Sequence, residues 1–368
     1  MVSSSPVYLR STIPAKAPHG RGTMLAPPNR FEATRHGAFD DGWERDDAPP
    51  PLATTVLRDH TRSIITKNDS PDIPFEQSVN PYRGCEHGCI YCFARPSHAY
   101  LGFSAGLDFE TKIICKPDAA RLLEKELSRP GYKPATIVLG SNTDPYQPVE
   151  RTLALTRAIL EVLERFNNPV AIVTKSAGVL RDADILVRMA AKGQARVHIS
   201  LTTQDSRLSR LMEPRAASPA RRLVAMAELA NADIPVTVMT APMIPGLNDP
   251  ELESLLDSAA KAGASTAHMG LLRLPHEVKE LFSTWLETHL PERAAHVLSL
   301  IRQSRGGQLN DPRFHQRFTG SGPITELLHQ RFNRATRELG LETTSAGLNC
   351  THFAVPAVSP APLQMALF

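Results

Sequence analysis

What the chain lacks narrows it first. No run approaches the roughly 18 apolar residues of a membrane-spanning helix, which excludes a helical membrane protein. The opening MVSSSPVYLR has no apolar stretch of the kind a secretory signal carries, so a cytoplasmic location without a membrane partner is expected. Cysteine is scarce: there are five in 368 residues, three within eight positions of one another and two alone. That distribution excludes a disulfide framework and, in a reducing compartment, points to metal or redox chemistry. Neither sign of charge is in excess. With 41 Lys and Arg against 38 Asp and Glu, the net charge of +3 permits an acidic or nucleic-acid partner without demanding one.

Regular hydrophobic spacing is also missing at both ends. Residues 1–60 carry STIPAKAPHGRG, APPNRF and DDAPPPL, which read as an extended or disordered arm. The tail from 341 to 368 reads as flexible. Between them, over 61–340, short β-branched runs alternate with amphipathic stretches. The runs are TIVLGS, VAIVTKS, RVHISLTT, PVTVMTAPM and AHMGLL, and the helical pieces include VERTLALTRAILEVLERF, with Leu153, Leu160 and Leu163 on one stripe, and PARRLVAMAELANA, with Leu223, Met226 and Leu229. Strand-helix units repeating at about 25 to 40 residues predict parallel βα repeats of an α/β fold. A doubly wound sheet and a full or partial barrel both satisfy that alternation. Polar residues gather where each run ends: Ser141, Asn142, Thr143 and Asp144 after the first, Lys175 after the second, Ser200 and Thr202 in the third. In a βα barrel this is the face that carries chemistry. With SVNPYRG as first strand, the cysteines fall on the same rim.

Those cysteines are Cys85, Cys89 and Cys92 in NPYRGCEHGCIYCFARPS, spaced C-x3-C-x2-C, with Gly84 and Gly88 free to turn the backbone tightly. A structural zinc site takes four ligands. Three cysteines on a 4Fe-4S cluster leave one iron open to a small molecule. Zinc remains an alternative here, through His87 in the loop or through Cys115 or Cys350 folding back.

CEHGCIYC resembles the cluster motif of the radical S-adenosylmethionine (radical SAM) enzymes, including an aromatic residue, Tyr91, before the third cysteine. Together with RSIITKNDSPDIPF, GSNTDPYQPVE, VTKS, MEPR and APMIPGLND, it is similar to a bacterial branch related to spore photoproduct lyase, over about residues 20 to 340. The resemblance implies a partial (β/α)6 barrel of TIM type. It implies a 4Fe-4S cluster on Cys85, Cys89 and Cys92, S-adenosylmethionine on the open iron, and a flavodoxin or ferredoxin as electron donor. Lys175 matches a lysine that pairs with the methionine carboxylate. Tyr91, Ser141, Asn142, Ser200 and the Met243–Gly246 turn match cofactor-side positions.

Asp144, Tyr146 and Gln147 belong to the branch and are candidates for substrate contact or catalysis, against a plain reading as a turn capping a helix near Val149. Arg215 either faces an anionic substrate or braces a loop. Cys115 and Cys350 read as incidental thiols. Two departures bear on activity: Ser141 stands where the lyase has a hydrogen-donating cysteine, and Phe93 where it has a tyrosine. The expected substrate class is damaged DNA, with peptide or small-molecule modification, or a metal-stabilised binding module, as the other readings. Finally, Gln364-Met365-Ala366-Leu367-Phe368 resembles the short peptide by which bacterial DNA enzymes dock on the sliding clamp.

Overall fold

The computed structural model describes residues 20–32 and 52–357, so the C-terminal peptide lies outside the described residues. Ten strands follow in chain order: β1 Thr55–Arg58, β2 Ile65–Lys67, β3 Gln77–Val79, β4 Tyr82–Arg83, β5 Lys112–Cys115, β6 Ile137–Leu139, β7 Val170–Thr174, β8 Ala195–Ser200, β9 Val236–Met243 and β10 Thr266–Leu271. The large sheet has the order β10-β9-β8-β7-β6-β3-β2. All neighbours from β3 to β10 pair in parallel, and only the edge strand β2 is antiparallel.

This order decides between the two architectures the alternation left open. A doubly wound sheet reverses its strand order partway, placing helices on both faces. Here the six parallel strands succeed one another without reversal. With right-handed crossovers every helix then falls on the same face, giving an open, partial (β/α)6 barrel. The outward residues Val197, Ile199, Val236, Val238 and Ala267 are buried with Leu186, Met226, Leu229 and Leu255 of the covering helices in one continuous core. The inner face carries smaller or polar residues such as Ser78, Ala171, His198 and Thr237 on alternate positions.

The structure corrects four sequence expectations. SVNPYRG is not one strand: the barrel strand stops at Val79, and Tyr82–Arg83 joins a second sheet of order β1-β5-β4. The helix expected over 149–166 breaks at Ala154, whose φ of 50° is left-handed, so Leu153 packs with Tyr82 while Leu160 and Leu163 enter the main core. Residues 20–32 and 52–60 are not a loose arm. Arg21 donates to the Glu110 carbonyl at 2.8 Å and to the Leu52 carbonyl at 2.6 Å, and β1 pairs in parallel with β5.

The fourth correction concerns residues 341–357, which run across the opposite, N-terminal ends of the strands. The Ala267 N–H donates to the Glu342 carbonyl, Arg196 to that of Ala346, and the Ala354 N–H to that of Phe166. Phe353 seats against Tyr132 and Phe166. No helix among the described residues is long and apolar enough to cross a membrane.

Candidate functional site

The cysteine loop leaves β4 and crosses the C-terminal ends of the barrel strands. Gly84 and Gly88 have φ of +80° and +67°, conformations that side-chain-bearing residues rarely adopt. Gly22 lies so close above the loop that an added Cβ would stand 1.7 Å from the Gly88 carbonyl oxygen. The Gly22 N–H donates to Glu110 Oε2 at 2.9 Å. Arg95, fully buried, donates to the carbonyls of Cys89 (2.9 Å) and Gly88 (3.1 Å) and pairs with Glu110 at 2.5 Å. One buried guanidinium thus fixes the middle of the loop, its charge balanced by a carboxylate that also anchors the Gly22 segment.

From below, the loop is held by segments that the sequence offered as substrate contacts. Gln147, fully buried, accepts from the Glu86 N–H at 2.9 Å and donates to the Gly84 carbonyl at 3.2 Å. Glu86 accepts from the Val149 N–H and from Thr54, and pairs with Arg215 at 3.1 Å. Arg215 therefore braces the loop. Tyr146 is buried, and its hydroxyl donates to Asp182 at 3.1 Å.

Asp144 accepts from Thr174 Oγ1 and the Lys175 N–H, both at 2.7 Å, and from the Tyr146 N–H at 2.9 Å, and lies 3.3 Å from His87 Nδ1. Burial pushes its carboxyl up, but His87 and these donors outweigh burial and hold it down at about 2. It ties the cysteine loop to the end of β7. It caps no helix at Val149, where Glu86 takes the free N–H instead.

Tyr91 is buried and donates its hydroxyl to Glu213. Glu213 also pairs with Arg222 and accepts from Thr202 at 2.9 Å. Arg222 in turn donates to the Ser200 carbonyl at 3.0 Å and that of Ala217 at 2.8 Å. Burial alone would raise the Glu213 carboxyl, yet the charges of Arg222 and Lys175 and the hydrogen bonds hold it below its ordinary value. Lys175 places its ammonium 5.8 Å from the centre of the Tyr91 ring. Its charge opposes the burial that pushes the Cys89 and Cys92 thiols up.

Ser141 accepts from the Asn80 amide at 3.1 Å, and the Asn142 N–H donates to the same side chain at 3.1 Å. Both border a cleft of about 500 Å³ that also touches Lys67, Phe75, Arg83, Tyr100 and Lys116. The Met243–Gly246 turn has few backbone groups left for an adenine. The Ile244 and Gly246 N–H groups donate to Asn248 and Asp249 (each 2.6 Å), and the Met243 and Gly246 carbonyls accept from Leu272 and Arg293.

Sequence reasoning missed Arg95, Glu110, Glu213 and Arg222 as the framework of this site. Glu213 stood inside the MEPR motif, which was the available signal. The two isolated cysteines lie apart from the loop: Cys115 packs with Tyr82 and Ile113, and Cys350 sits beside Leu348, on the segment that crosses the far ends of the strands.

A barrel of six parallel strands with three thiols, an ammonium and a polar cleft at its C-terminal rim defines a class, and the comparisons give the family. The model of the radical SAM superfamily matches residues 79–259. Uncharacterized proteins of Mycobacterium bovis and Mycobacterium tuberculosis are 37% identical over 233 residues, 63% of this chain and 68% of theirs. This chain belongs to the radical SAM superfamily. Among solved structures, a spore photoproduct lyase with bound AdoMet and dinucleoside spore photoproduct superposes with a TM-score of 0.57 at 17% identity, covering 78% of this chain and 80% of that one. At that identity the likeness is one of fold.

Enzymes of this superfamily use a 4Fe-4S cluster and S-adenosylmethionine, and the donor set suits both. The loop offers three free thiols within eight residues, which would hold such a cluster. Among the described residues, no three His, Cys, Asp or Glu side chains converge as they would on a single metal ion.

Proposed function

We propose that this radical SAM enzyme acts on damaged nucleic acid, with Cys85, Cys89 and Cys92 as the cluster ligands. The observation that carries the substrate class is the cleft bordering Ser141 and Asn142. Its lining includes three cations, Lys67, Lys116 and Arg83, the last paired with Asp59 at 3.0 Å, and the aromatic rings of Phe75 and Tyr100, and among the described residues no carboxylate lines it. Tyr100 is 74% exposed at its edge. Cationic and aromatic groups interleaved along a groove suit phosphates and bases.

When bound, the cluster would supply the electron for reductive cleavage of S-adenosylmethionine, whose 5′-deoxyadenosyl group would serve to remove a hydrogen atom from the substrate. The chain's own residues position and shield. The Lys175 ammonium pairs with the methionine carboxylate, since a point cation in a partly dry site favours an anion there. Tyr91, its hydroxyl engaged by Glu213, would offer its ring to the adenosyl part of the cofactor, and Ser200 would serve its polar groups. Ser141 and Asn142, fixed by Asn80 at the border of the cleft, would meet the polar groups of the bound cofactor. The Gly22 segment covers the loop and keeps water from it.

Ser141 and Phe93 have neither a thiol nor a phenol hydrogen to give, so the reaction does not follow the lyase's hydrogen relay. The electron donor is a flavodoxin or ferredoxin of the cytoplasm. Docking on a sliding clamp through Gln364–Phe368 belongs to the same reading and is tested by deleting those five residues.

The deciding experiment is an anaerobic reaction of reconstituted enzyme with reductant, S-adenosylmethionine and ultraviolet-damaged oligonucleotides, followed by mass spectrometry. Release of 5′-deoxyadenosine that rises with damaged strands, together with a mass change in the strand, supports the reading. Stimulation by a peptide or small molecule and not by any oligonucleotide overturns it.

A further inference from the structure

Just outside the cleft, cations and aromatic rings alternate along one rim. The Arg273 guanidinium, two residues past the end of β10, lies 5.3 Å from the centre of the Phe93 ring and 4.7 Å from that of Phe318. Arg317 lies 5.0 Å from the Phe318 ring and 4.9 Å from that of Phe314. The two arginines are not equivalent. Arg317 is paired with Asp72, its Nε donating to the carboxylate at 2.8 Å. Arg273 makes no ion pair among the described residues, and its Nε is buried with no hydrogen-bond partner. Burial, followed by the nearby charges of Arg317 and Arg305 and opposed by a smaller pull from Asp72, pushes its guanidinium down to about 10.

A cation partly withdrawn from water, short of hydrogen bonds and crowded by like charges is costly to maintain. An anion meeting the guanidinium from the solvent side would offset the burial of its charge and the repulsion from its neighbours. The flanking rings are open to such a visitor: Phe93 is 45% and Phe314 52% exposed.

The surroundings say which anion. Phe93 directly follows Cys92, so the patch begins at the candidate cluster loop. Asp72, which holds Arg317, is followed by Ile73 and Phe75, which line the cleft. The patch and the cleft thus share a wall. A chain of phosphates and planar bases can occupy both, whereas an isolated phosphate or a phosphorylated side chain would leave the aromatic faces unused.

We propose that Arg273 binds a backbone phosphate of a nucleic-acid strand whose neighbouring base rests on Phe93 or Phe314. This rests on the nucleic-acid reading above and adds the residue that sets the strand's path. It also gives Phe93 a function in place of the missing phenol, as a stacking face beside the cluster loop.

The test is fluorescence anisotropy of a labelled single-stranded 12-mer on reconstituted enzyme, with iron content matched between preparations, over a series of salt concentrations. Arg273→Ala should weaken binding about tenfold and lower the salt slope by about one ion. Arg273→Lys should keep the slope and part of the affinity. Phe93→Leu, which preserves apolar volume without a ring face, should weaken binding several-fold at unchanged slope. Wild-type affinity and slope in Arg273→Ala would overturn this assignment and leave the nucleic-acid reading standing. Failure of the wild-type enzyme to bind any oligonucleotide at low salt would overturn both. Displacement of the strand by a phosphopeptide at lower concentration than by unlabelled oligonucleotide would assign the site to a different class of partner and likewise overturn the proposal.

Discussion

Arg222 and Arg273 stand on the same side of the barrel and have opposite surroundings. Arg222 is fully buried, paired with Glu213 and hydrogen-bonded to two carbonyls. Arg273 is half-buried between two phenyl rings and has no carboxylate partner among the described residues. The first charge is consumed internally: it fixes Glu213, which fixes Tyr91 and so the cysteine loop. The second is held between the Phe93 and Phe318 rings with no carboxylate to consume its charge. A buried cation with its partners complete is architecture, and one without them is a site waiting for a ligand. The same division separates Asp144, Gln147 and Arg215, all engaged in bracing, from Lys175, whose ammonium has no carboxylate within ion-pair distance among the described residues.

The largest effect should come from the cysteine loop itself. Changing any one of Cys85, Cys89 or Cys92 to Ala should abolish iron retention and the reductive cleavage of S-adenosylmethionine, because on the proposed reading three thiolates are the whole protein ligation. Cys115→Ala and Cys350→Ala should retain both. Iron and sulfide analysis after anaerobic reconstitution decides it, and full cluster content in Cys89→Ala would remove the loop from its assigned role.

Next in size is the contrast between the two arginines. Glu213→Ala would leave the Arg222 guanidinium and the Tyr91 hydroxyl buried without their acceptor. Breaking a buried pair from one side costs about 3 to 5 kcal/mol, so the denaturant midpoint should fall steeply. Arg273→Ala orphans no carboxylate and removes a half-buried charge short of partners, so the midpoint should fall far less. Equal destabilisation of the two variants would erase the distinction between them.

Lys175→Ala should act on affinity and spare the fold. A charge-assisted contact to the methionine carboxylate is worth about 1.5 to 3 kcal/mol, which is roughly a 10- to 100-fold rise in the dissociation constant for S-adenosylmethionine. Calorimetry on the reconstituted protein measures this directly. An unchanged constant would return Lys175 to the role of a strand-end lysine.

How much of this could be read in the sequence follows from the range of the interactions. The barrel strands were legible because TIVL, VAIVT and VTVM are local runs of β-branched residues bounded by turns, and Lys175 because it ends one of them. Cys85, Cys89 and Cys92 were legible through their spacing. The break at Ala154 was not, since alanine is the best helix former and only the tertiary demand on Leu153 and Leu155, which pack with Tyr82, turns the chain there. The ordering of residues 20–32 escaped notice for a similar reason. A proline- and glycine-rich piece has no hydrophobic period, and it is held by single contacts such as Gly22 to Glu110, 88 residues apart. Glu213 and Arg222 looked like ordinary charged residues of helical turns, and only the fold brings Tyr91 to them, 122 residues from Glu213.

The effect that is offset most concerns Lys116, on the cleft side of the comparison, where relief of a buried charge is set against a lost hydrogen bond. It is buried, its ammonium donates to the Asn80 carbonyl at 2.9 Å, and burial, with a lesser push from Arg83, lowers it to about 8. In the unfolded chain it titrates at the ordinary lysine value of about 10.4. Below pH 8 the group is protonated in both states, so folding bears the full cost of burying the charge. Between pH 8 and 10.4 the unfolded chain binds more protons than the folded one, and this contribution to stability rises with pH. Lys116→Met should therefore gain most over the wild type near neutral pH, less the lost hydrogen bond, and the difference in melting temperature should shrink steadily from pH 8 to pH 10. If an anionic strand occupies the cleft, its phosphates should raise the Lys116 ammonium again and flatten that dependence. A melting difference that stays constant across the range, with and without oligonucleotide, would mean that Lys116 remains ordinary and that the cleft exerts no field of its own.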